Sequence, residues 1–471
     1  MCTVSEATAS LIVLVAMTLL ACDLNYSNKD VIMLNAISSL GMAVGSLIFG
    51  IVADYDGRKR LIPASMIIIF CASIGLSFSH TYFLISFSIF ILGFGAAGNN
   101  AVLRIYLIEC LPTRKHGTCL ALIDLIWIIG LIFALGISWS LAPSIIRMLG
   151  NEFRPSSWRV LVGVAGTPNL IMACGASLLP ASPRYLISHR RLEQAMFVLQ
   201  QMFAINNSQH MANIPSINLN DYSRAVDDEE TSNDNFIDSV KLLFLKTWRR
   251  IVFVVSFNFI GHTLLLIAMR LFLFPGCIWL ALWITHKFIH CTIKDGDLVS
   301  INNQTYCTSD FSDITMNFLT NCHKISDNYF KYLLIFSSSF IIGEVLLVIV
   351  IDIIGRRLSL ITSGLVGATS ILALAFTNSF HISIVLSIFF LASYSIMNTV
   401  TNIIQLESYP TSVRGTIVGL TSVLPHFLSF FIKLFVQVTL PKILYILSGL
   451  LIGVTIIALP IRDFTKAPMP E

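Results

Sequence analysis

Charge is what this sequence lacks. Of its 471 residues only 12% are Asp, Glu, Lys or Arg, about half the share found in soluble domains. Thirty basic and 26 acidic side chains are too few to clothe a water-soluble fold of this size, which excludes a soluble enzyme and a nucleic-acid binder. The sequence also lacks a metal-ligand cluster, a Gly-Lys-Ser/Thr phosphate loop and a nucleophile–base constellation. An ATP-driven pump or a membrane enzyme is therefore not expected, and neither is a cofactor, a metal or a catalytic residue. The same composition excludes a secreted disulfide scaffold, although four of the ten cysteines fall in one stretch and suggest one or two disulfides there.

What the chain has instead is apolar length: 55% hydrophobic residues and a mean hydropathy of +0.80. The apolar residues fall in runs of about twenty, the length of helix that spans roughly 30 Å of hydrocarbon. Twelve such runs are read, at 7–21, 31–53, 61–80, 82–108, 118–141, 159–178, 251–273, 330–351, 358–376, 381–405, 414–434 and 441–460. Helices satisfy their own backbone in lipid, so the expected fold is all-α and integral to the membrane. An even number of spans places both termini on one side. With that side cytoplasmic, its segments hold 18 of the 30 Lys and Arg against 9 opposite, and Arg104, Arg270 and Lys433 lie within spans. The positive-inside rule thus puts both termini in the cytoplasm.

Two long loops interrupt the spans. Residues 187–249 form a cytoplasmic connector, expected to open with an amphipathic helix carrying Leu192, Ala195, Met196, Leu199, Met202 and Phe203, then to turn acidic and disordered. Residues 274–329 face the opposite side and carry Cys277, Cys291, Cys307 and Cys322, whose pairing among three possibilities the spacing leaves open. The same loop carries the glycosylation sequon at Asn303, and a second sequon at Asn25 shares its side. The remaining segments divide into a bundle over 1–186, a bundle over 250–460 and a cytoplasmic tail at 461–471.

A repeat with an offset of 298 residues relates the two bundles. Asp54-x-x-Gly57-Arg58 recurs as Asp352-x-x-Gly355-Arg356, and Glu109-x-x-Pro-Thr-x-x-x-Gly117 recurs as Glu407-x-x-Pro-Thr-x-x-x-Gly415. Two motifs in one register imply two pseudo-symmetric six-helix bundles, the build of transporters that rock one half against the other. Gly57 and Gly355 permit a tight reversal between helices. Arg58, Arg356 and Arg414 stand where they can meet helix ends and the carboxylates of Glu109 and Glu407. The set Asp54, Gly57, Arg58, Glu109, Asp352, Gly355, Arg356, Glu407 and Arg414 is the expected latch of the cytoplasmic face.

These motifs resemble the major facilitator superfamily, and within it the synaptic vesicle glycoprotein 2 group and related organic-solute and sugar-porter-like proteins. Further residues carry the likeness: Cys22-Asp23-Leu24-Asn25, Gly93-Phe-Gly-Ala-Ala-Gly98, Trp127-Ile-Ile-Gly130, Ser157-Trp158-Arg159-Val160 and Pro180-Ala-Ser182-Pro183-Arg184. Three positions depart from the family pattern: Ala181 stands for a Glu, Ile89 for a basic residue and Ile461 for an acidic one. The resemblance implies a transporter of a small organic solute by alternating access, monomeric, with protons as the candidate coupling ion and a plasma or vesicle membrane as its place. The rival is a non-transporting relative that serves as a membrane-bound binding or regulatory partner.

Ionisable residues inside spans are costly and point to function. Arg104 and Asp124 lie at similar depth on adjacent antiparallel spans and are expected to pair, either as structure or to read substrate charge. Glu344 sits deep in span 8 with no evident partner, a candidate coupling site. His262, Asn398 and Asn402 are polar candidates to line the cavity. Arg270 and Lys433 fall near the outer span ends, where snorkelling to the interface would explain them.

Overall fold

The computed structural model describes residues 1–10, 20, 24, 26, 28–112, 115–148, 157–207, 263–271, 327–377, 379–435 and 440–460, and the regular elements among them are helical. In chain order they are α1 (Asn28–Tyr55), α2 (Arg58–Phe78), α3 (Tyr82–Cys110), α4 (His116–Met148), α5 (Ser157–Ser177), α6 (Pro183–Ser188) and α7 (Leu192–Asn207). After the connector come α8 (Asp327–Ile354), α9 (Arg356–Phe376), α10 (Phe380–Glu407), α11 (Arg414–Phe435) and α12 (Leu440–Ala458). Residues 2–10 and 263–271 are helical as well.

Among the described residues nine helices, α1–α5 and α8–α11, are long and apolar enough to cross a membrane, and Leu444–Ala458 adds a shorter apolar one. Their outward faces expose Phe83, Phe133, Val160, Ile349 and Phe376. Apolar side chains on that scale suit hydrocarbon and not water. Most of the first and seventh runs, and with them His262, Asn25, Asn303 and the cysteines at 277, 291, 307 and 322, lie outside the described residues. The first run does begin earlier than its apolar stretch suggests. Residues 2–10 are already helical and mostly buried, which brings Glu6 into the protein interior.

Each bundle packs in the same pattern. In the first, α1 and α2 pack on α3, and α2 on α5; in the second, α8 and α9 pack on α10, and α9 on α12. Two seams join the bundles, α1 against α11 and α4 against α8. The repeat exchanges them, since α1 corresponds to α8 and α11 to α4. The α1–α11 seam is close because it is lined by small residues. A Cβ added at Gly50 would stand 2.5 Å from the Gly415 carbonyl oxygen, and one at Gly419 would stand 2.6 Å from that of Ser46. At the α4–α8 seam Leu120 and Ala121 of α4, with Ile105 and Ile108 of α3, join the apolar core of the second bundle.

The turns at one end of the bundle are short for a physical reason. Gly57 and Gly355 have φ of 87° and 95°, a region that costs other residues a Cβ clash. Each permits a helix to end and the next to begin within three residues. Behind α5, Ser182 caps α6 by accepting from the Tyr185 N–H, with Pro183 as its first residue. The amphipathic stretch of the connector is α7, which packs Ala195 and Val198 against Tyr185 and Leu186.

Candidate functional site

The charged motifs gather at the end of the bundle where α1, α3, α8 and α10 finish. Asp54 is fully buried at the end of α1 and faces the start of α11. It accepts from the Gly415 N–H at 3.0 Å, the Thr416 N–H at 2.8 Å and the Thr416 hydroxyl at 2.9 Å. Asp352, its repeat partner, accepts from the Thr118 N–H at 3.1 Å and the Thr118 hydroxyl at 2.5 Å at the start of α4. Thr118 and Thr416 are 298 residues apart, so the two contacts are one contact made twice. A carboxylate of each bundle caps a helix of the other, satisfying orphan N–H groups and meeting the positive end of the helix dipole.

The arginines tie these caps to the glutamates. Arg58 lies 3.3 Å from Asp54 and 2.8 Å from Glu109, and donates to the Ala53 and Thr411 carbonyls at 3.0 and 2.9 Å. Arg356 lies 2.9 Å from both Asp352 and Glu407, and donates to the Ile351 carbonyl at 3.5 Å. Glu109 also accepts from the Ser182 hydroxyl at 2.6 Å, while the Arg58 guanidinium lies over the Tyr185 ring. The sequence motifs thus converge on one network, which the Thr411, Gly415 and Thr416 contacts of the first bundle carry across to the second.

The third layer differs between the copies. Arg414 reaches Glu109 at 3.5 Å and donates to the Tyr409 carbonyl at 2.9 Å. Its counterpart in the repeat is His116, which meets the Leu111 carbonyl at 3.1 Å through Nε2 and turns Nδ1 toward Glu407 at 3.9 Å. The backbone partner is conserved by the register, since Leu111 and Tyr409 are also 298 apart. An arginine therefore crosses between bundles in one copy and a histidine in the other.

Deeper in the bundle lies a second polar group. Arg104 and Asp124 are 2.7 Å apart, with side chains 18% and 10% exposed. The Thr399 hydroxyl lies 2.8 Å from Asp124 and 2.7 Å from Glu344, and Ser395 donates to Glu344 at 2.6 Å. Glu344 is thus partnered, unlike its sequence reading, because Ser395 and Thr399 share one face of α10 at helical spacing. Asn99 donates to Glu6 at 2.6 Å. Glu6, Ser395 and Thr399 escaped the sequence reading: a Glu six residues from the start looks like a terminus, and hydroxyls inside helices are common. Thr118 and Thr416 escaped it too, although the 298 offset marks them.

Arg270 and Lys433 correct the snorkelling expectation, since both turn inward. Arg270 donates to Ser422 at 2.8 Å, to Asn402 at 2.5 Å and to Gln405. Lys433 donates to the Asn35 carbonyl at 3.0 Å and the Ser39 hydroxyl at 2.8 Å across the α1–α11 seam. Polar acceptors on α1, α10 and α11 answer both cations inside the protein. Asn398 is exposed although Leu391, Tyr394, Asn402 and Gln405, at intervals of four and seven on the same face of α10, are all buried. Asn398 therefore interrupts the buried stripe of α10. Elsewhere, a cavity of about 390 Å³ at the charged end lies between Lys59, Ala181 and α7, away from this interior.

Comparison with known proteins agrees with this architecture. The family model described as sugar (and other) transporter matches residues 3–271, more than half of the chain. The synaptic vesicle glycoprotein 2B of Rattus norvegicus is 30% identical over 186 residues, 39% of this chain and 27% of that protein. The D-xylose transporter of Levilactobacillus brevis is 31% identical over 163 residues, 35% of this chain and 34% of that protein. The chain therefore matches about a quarter to a third of the length of these relatives. The structure of the proton:xylose symporter XylE bound to 6-bromo-6-deoxy-D-glucose superposes with a TM-score of 0.71 at 14% identity, covering 99% of this chain and 96% of that one. With nine helices able to cross a membrane among the described residues, a superposition covering 99% of the chain and the family model matching more than half of it, the chain is an integral multi-pass membrane protein that belongs to the sugar (and other) transporter family, whose members are transporters and not enzymes.

Proposed function

We propose that the protein is a secondary transporter for a small organic solute, that bundles 1–186 and 250–460 alternate access to a path between them, and that the charged end faces the cytoplasm. The observation that carries this reading is the reciprocal capping of α11 by Asp54 and of α4 by Asp352. Contacts that hold two halves together through caps and ion pairs can break and reform as units, which packed apolar surfaces do less readily. The connector 187–249 and the tail 461–471 then lie in the cytoplasm, and the bundles span a plasma or vesicle membrane.

Proton coupling fits the interior. Thr399 has one hydroxyl hydrogen and stands between two carboxyls, so it donates to Asp124 or to Glu344 and not to both. A proton on Glu344 supplies the missing hydrogen bond, and its loss leaves two carboxylates facing one hydroxyl. Binding and release of that proton would thus be felt by Asp124 and Arg104 in the other bundle. The named relatives that carry xylose make pentoses the first solutes to try.

The test is uptake into proteoliposomes holding the full chain, with xylose and a panel of organic ions, under an inward proton gradient. Saturable, gradient-driven uptake is expected, with Glu344→Gln abolishing the dependence on the gradient. A correctly folded protein that moves none of the panel would favour the rival, non-transporting partner.

A further inference from the structure

Among the described residues, six cations whose side chains reach partners inside the protein, buried or half-buried, fall into two groups. Arg58, Arg104, Arg356 and Arg414 each hold a carboxylate. Arg270 and Lys433 hold none, and their hydrogen bonds go to neutral acceptors alone. The Nε of Arg270 is buried with no partner. A cation so placed is expensive, because neutral acceptors replace the lost hydration without cancelling the charge.

The repeat sharpens the point. Asn402 and Ser422 are the counterparts of Arg104 and Asp124, 298 residues on. The first bundle fills these positions with a cation and its counter-ion. The second fills them with two neutral groups, and both take hydrogen bonds from Arg270. Arg270 thus stands at the pseudo-symmetric place of an ion pair whose acid is missing. One helical turn before Asn402 on α10 is Asn398, exposed within an otherwise buried stripe. Lys433 lies eleven residues beyond Ser422 on α11, with His426 between them. The carboxyls of the interior, Glu6, Asp124 and Glu344, gather instead around Arg104.

Resting on the reading of this interior as the solute path, we infer that the solute is an organic anion, a small mono- or dicarboxylate whose charged end is taken by Arg270 after passing Lys433. A carboxylate can displace the amide oxygens of Asn402 and Gln405 and take two parallel guanidinium N–H bonds, geometry that a sugar hydroxyl does not match. Asn398 and the freed amides then offer neutral hydrogen bonds to the remainder of the solute. The inference also explains why the cation is tolerated: the missing acid arrives with the cargo.

The test uses the full-length protein in lipid nanodiscs, with succinate, lactate, xylose and tetraethylammonium as probes and ligand-induced thermal stabilisation as readout. Succinate or lactate is expected to bind saturably, and Arg270→Gln to weaken that binding by at least about tenfold. Arg270→Lys should keep part of it and Lys433→Gln should weaken it less. Without ligand, Arg270→Gln should melt no lower than the parent, because its removal strands no counter-ion; should it fail to fold, Arg270→Lys and Lys433→Gln carry the comparison. Anion binding unchanged in these variants, or no anion binding at all, overturns the inference. Binding and uptake of xylose without either anion overturns it and leaves the transport reading standing. Arg270-dependent anion binding without uptake upholds it and overturns the transport reading.

Discussion

The two seams between the bundles use the same residues of the repeat and differ in what surrounds them. In the α1–α11 seam Asp54 is fully buried, Glu109 is met by Arg58 and Arg414, and glycines let the helices touch backbone to backbone. In the α4–α8 seam the Asp352 side chain is 18% exposed, and His116 stands where the other copy has Arg414. Val348 takes the place that Gly50 has, and Glu344 the place of Ser46. At the charged end one seam is fully buried and tightly capped; the other is looser there and carries Asp124 and Glu344. Duplication supplied both, and divergence has made one the tighter fastening and given the other the paired carboxyls.

Removing the caps one at a time should separate the seams most widely. Asp54→Ala leaves the Gly415 and Thr416 N–H groups and part of Arg58 unanswered in a buried place, a loss of about 3–5 kcal/mol. Asp352→Ala, partly wetted, should cost about 1–2 kcal/mol. Thermal unfolding in detergent reads the difference, and equal losses would mean that the seams are equivalent. Next in size, Arg104→Ala or Asp124→Ala should each cost about 3 kcal/mol by stranding the other charge, and the double substitution should regain part of it. Normal folded yield from each single variant would show that the pair contributes nothing.

Packing distinguishes the seams by a smaller margin. Gly50→Ala forces a methyl against the Gly415 carbonyl and should cost about 1–3 kcal/mol. At the matching position, Val348→Ala removes two methyls from a less crowded helix and should cost about 1 kcal/mol. The smallest effect is expected from His116→Arg, which restores the missing guanidinium beside Glu407 and should add about 1 kcal/mol of stability. Uptake should slow with it, since the charged end would open less often; faster uptake would contradict this.

Much of this was legible because the motifs are duplicated. Asp54 and Asp352, or Glu109 and Glu407, need no coordinates to be matched, and charges at span ends have few places to go. The helical spans were legible because lipid demands about twenty apolar residues. What the sequence hides is direction. Arg270 and Lys433 lie near span ends, where composition alone cannot tell an inward side chain from one that reaches the interface. Asn398 and Asn402 are one helical turn apart, and only the packed bundle distinguishes the exposed residue from the one that Arg270 holds. The partners of Glu344 are not legible in the sequence, because hydroxyl donors such as Ser395 and Thr399 carry no charge signal.

The central claim is that the charged end is held shut by two unequal seams. Distances between spin labels at the exposed Lys59 and Arg357, in the first turns of α2 and α9, test it most directly in lipid nanodiscs. A dominant short distance is expected in the parent, with a large shift of population to longer distances in Asp54→Asn and a smaller shift in Asp352→Asn. A distribution that neither substitution alters, or one that Asp352→Asn alters more, would contradict it.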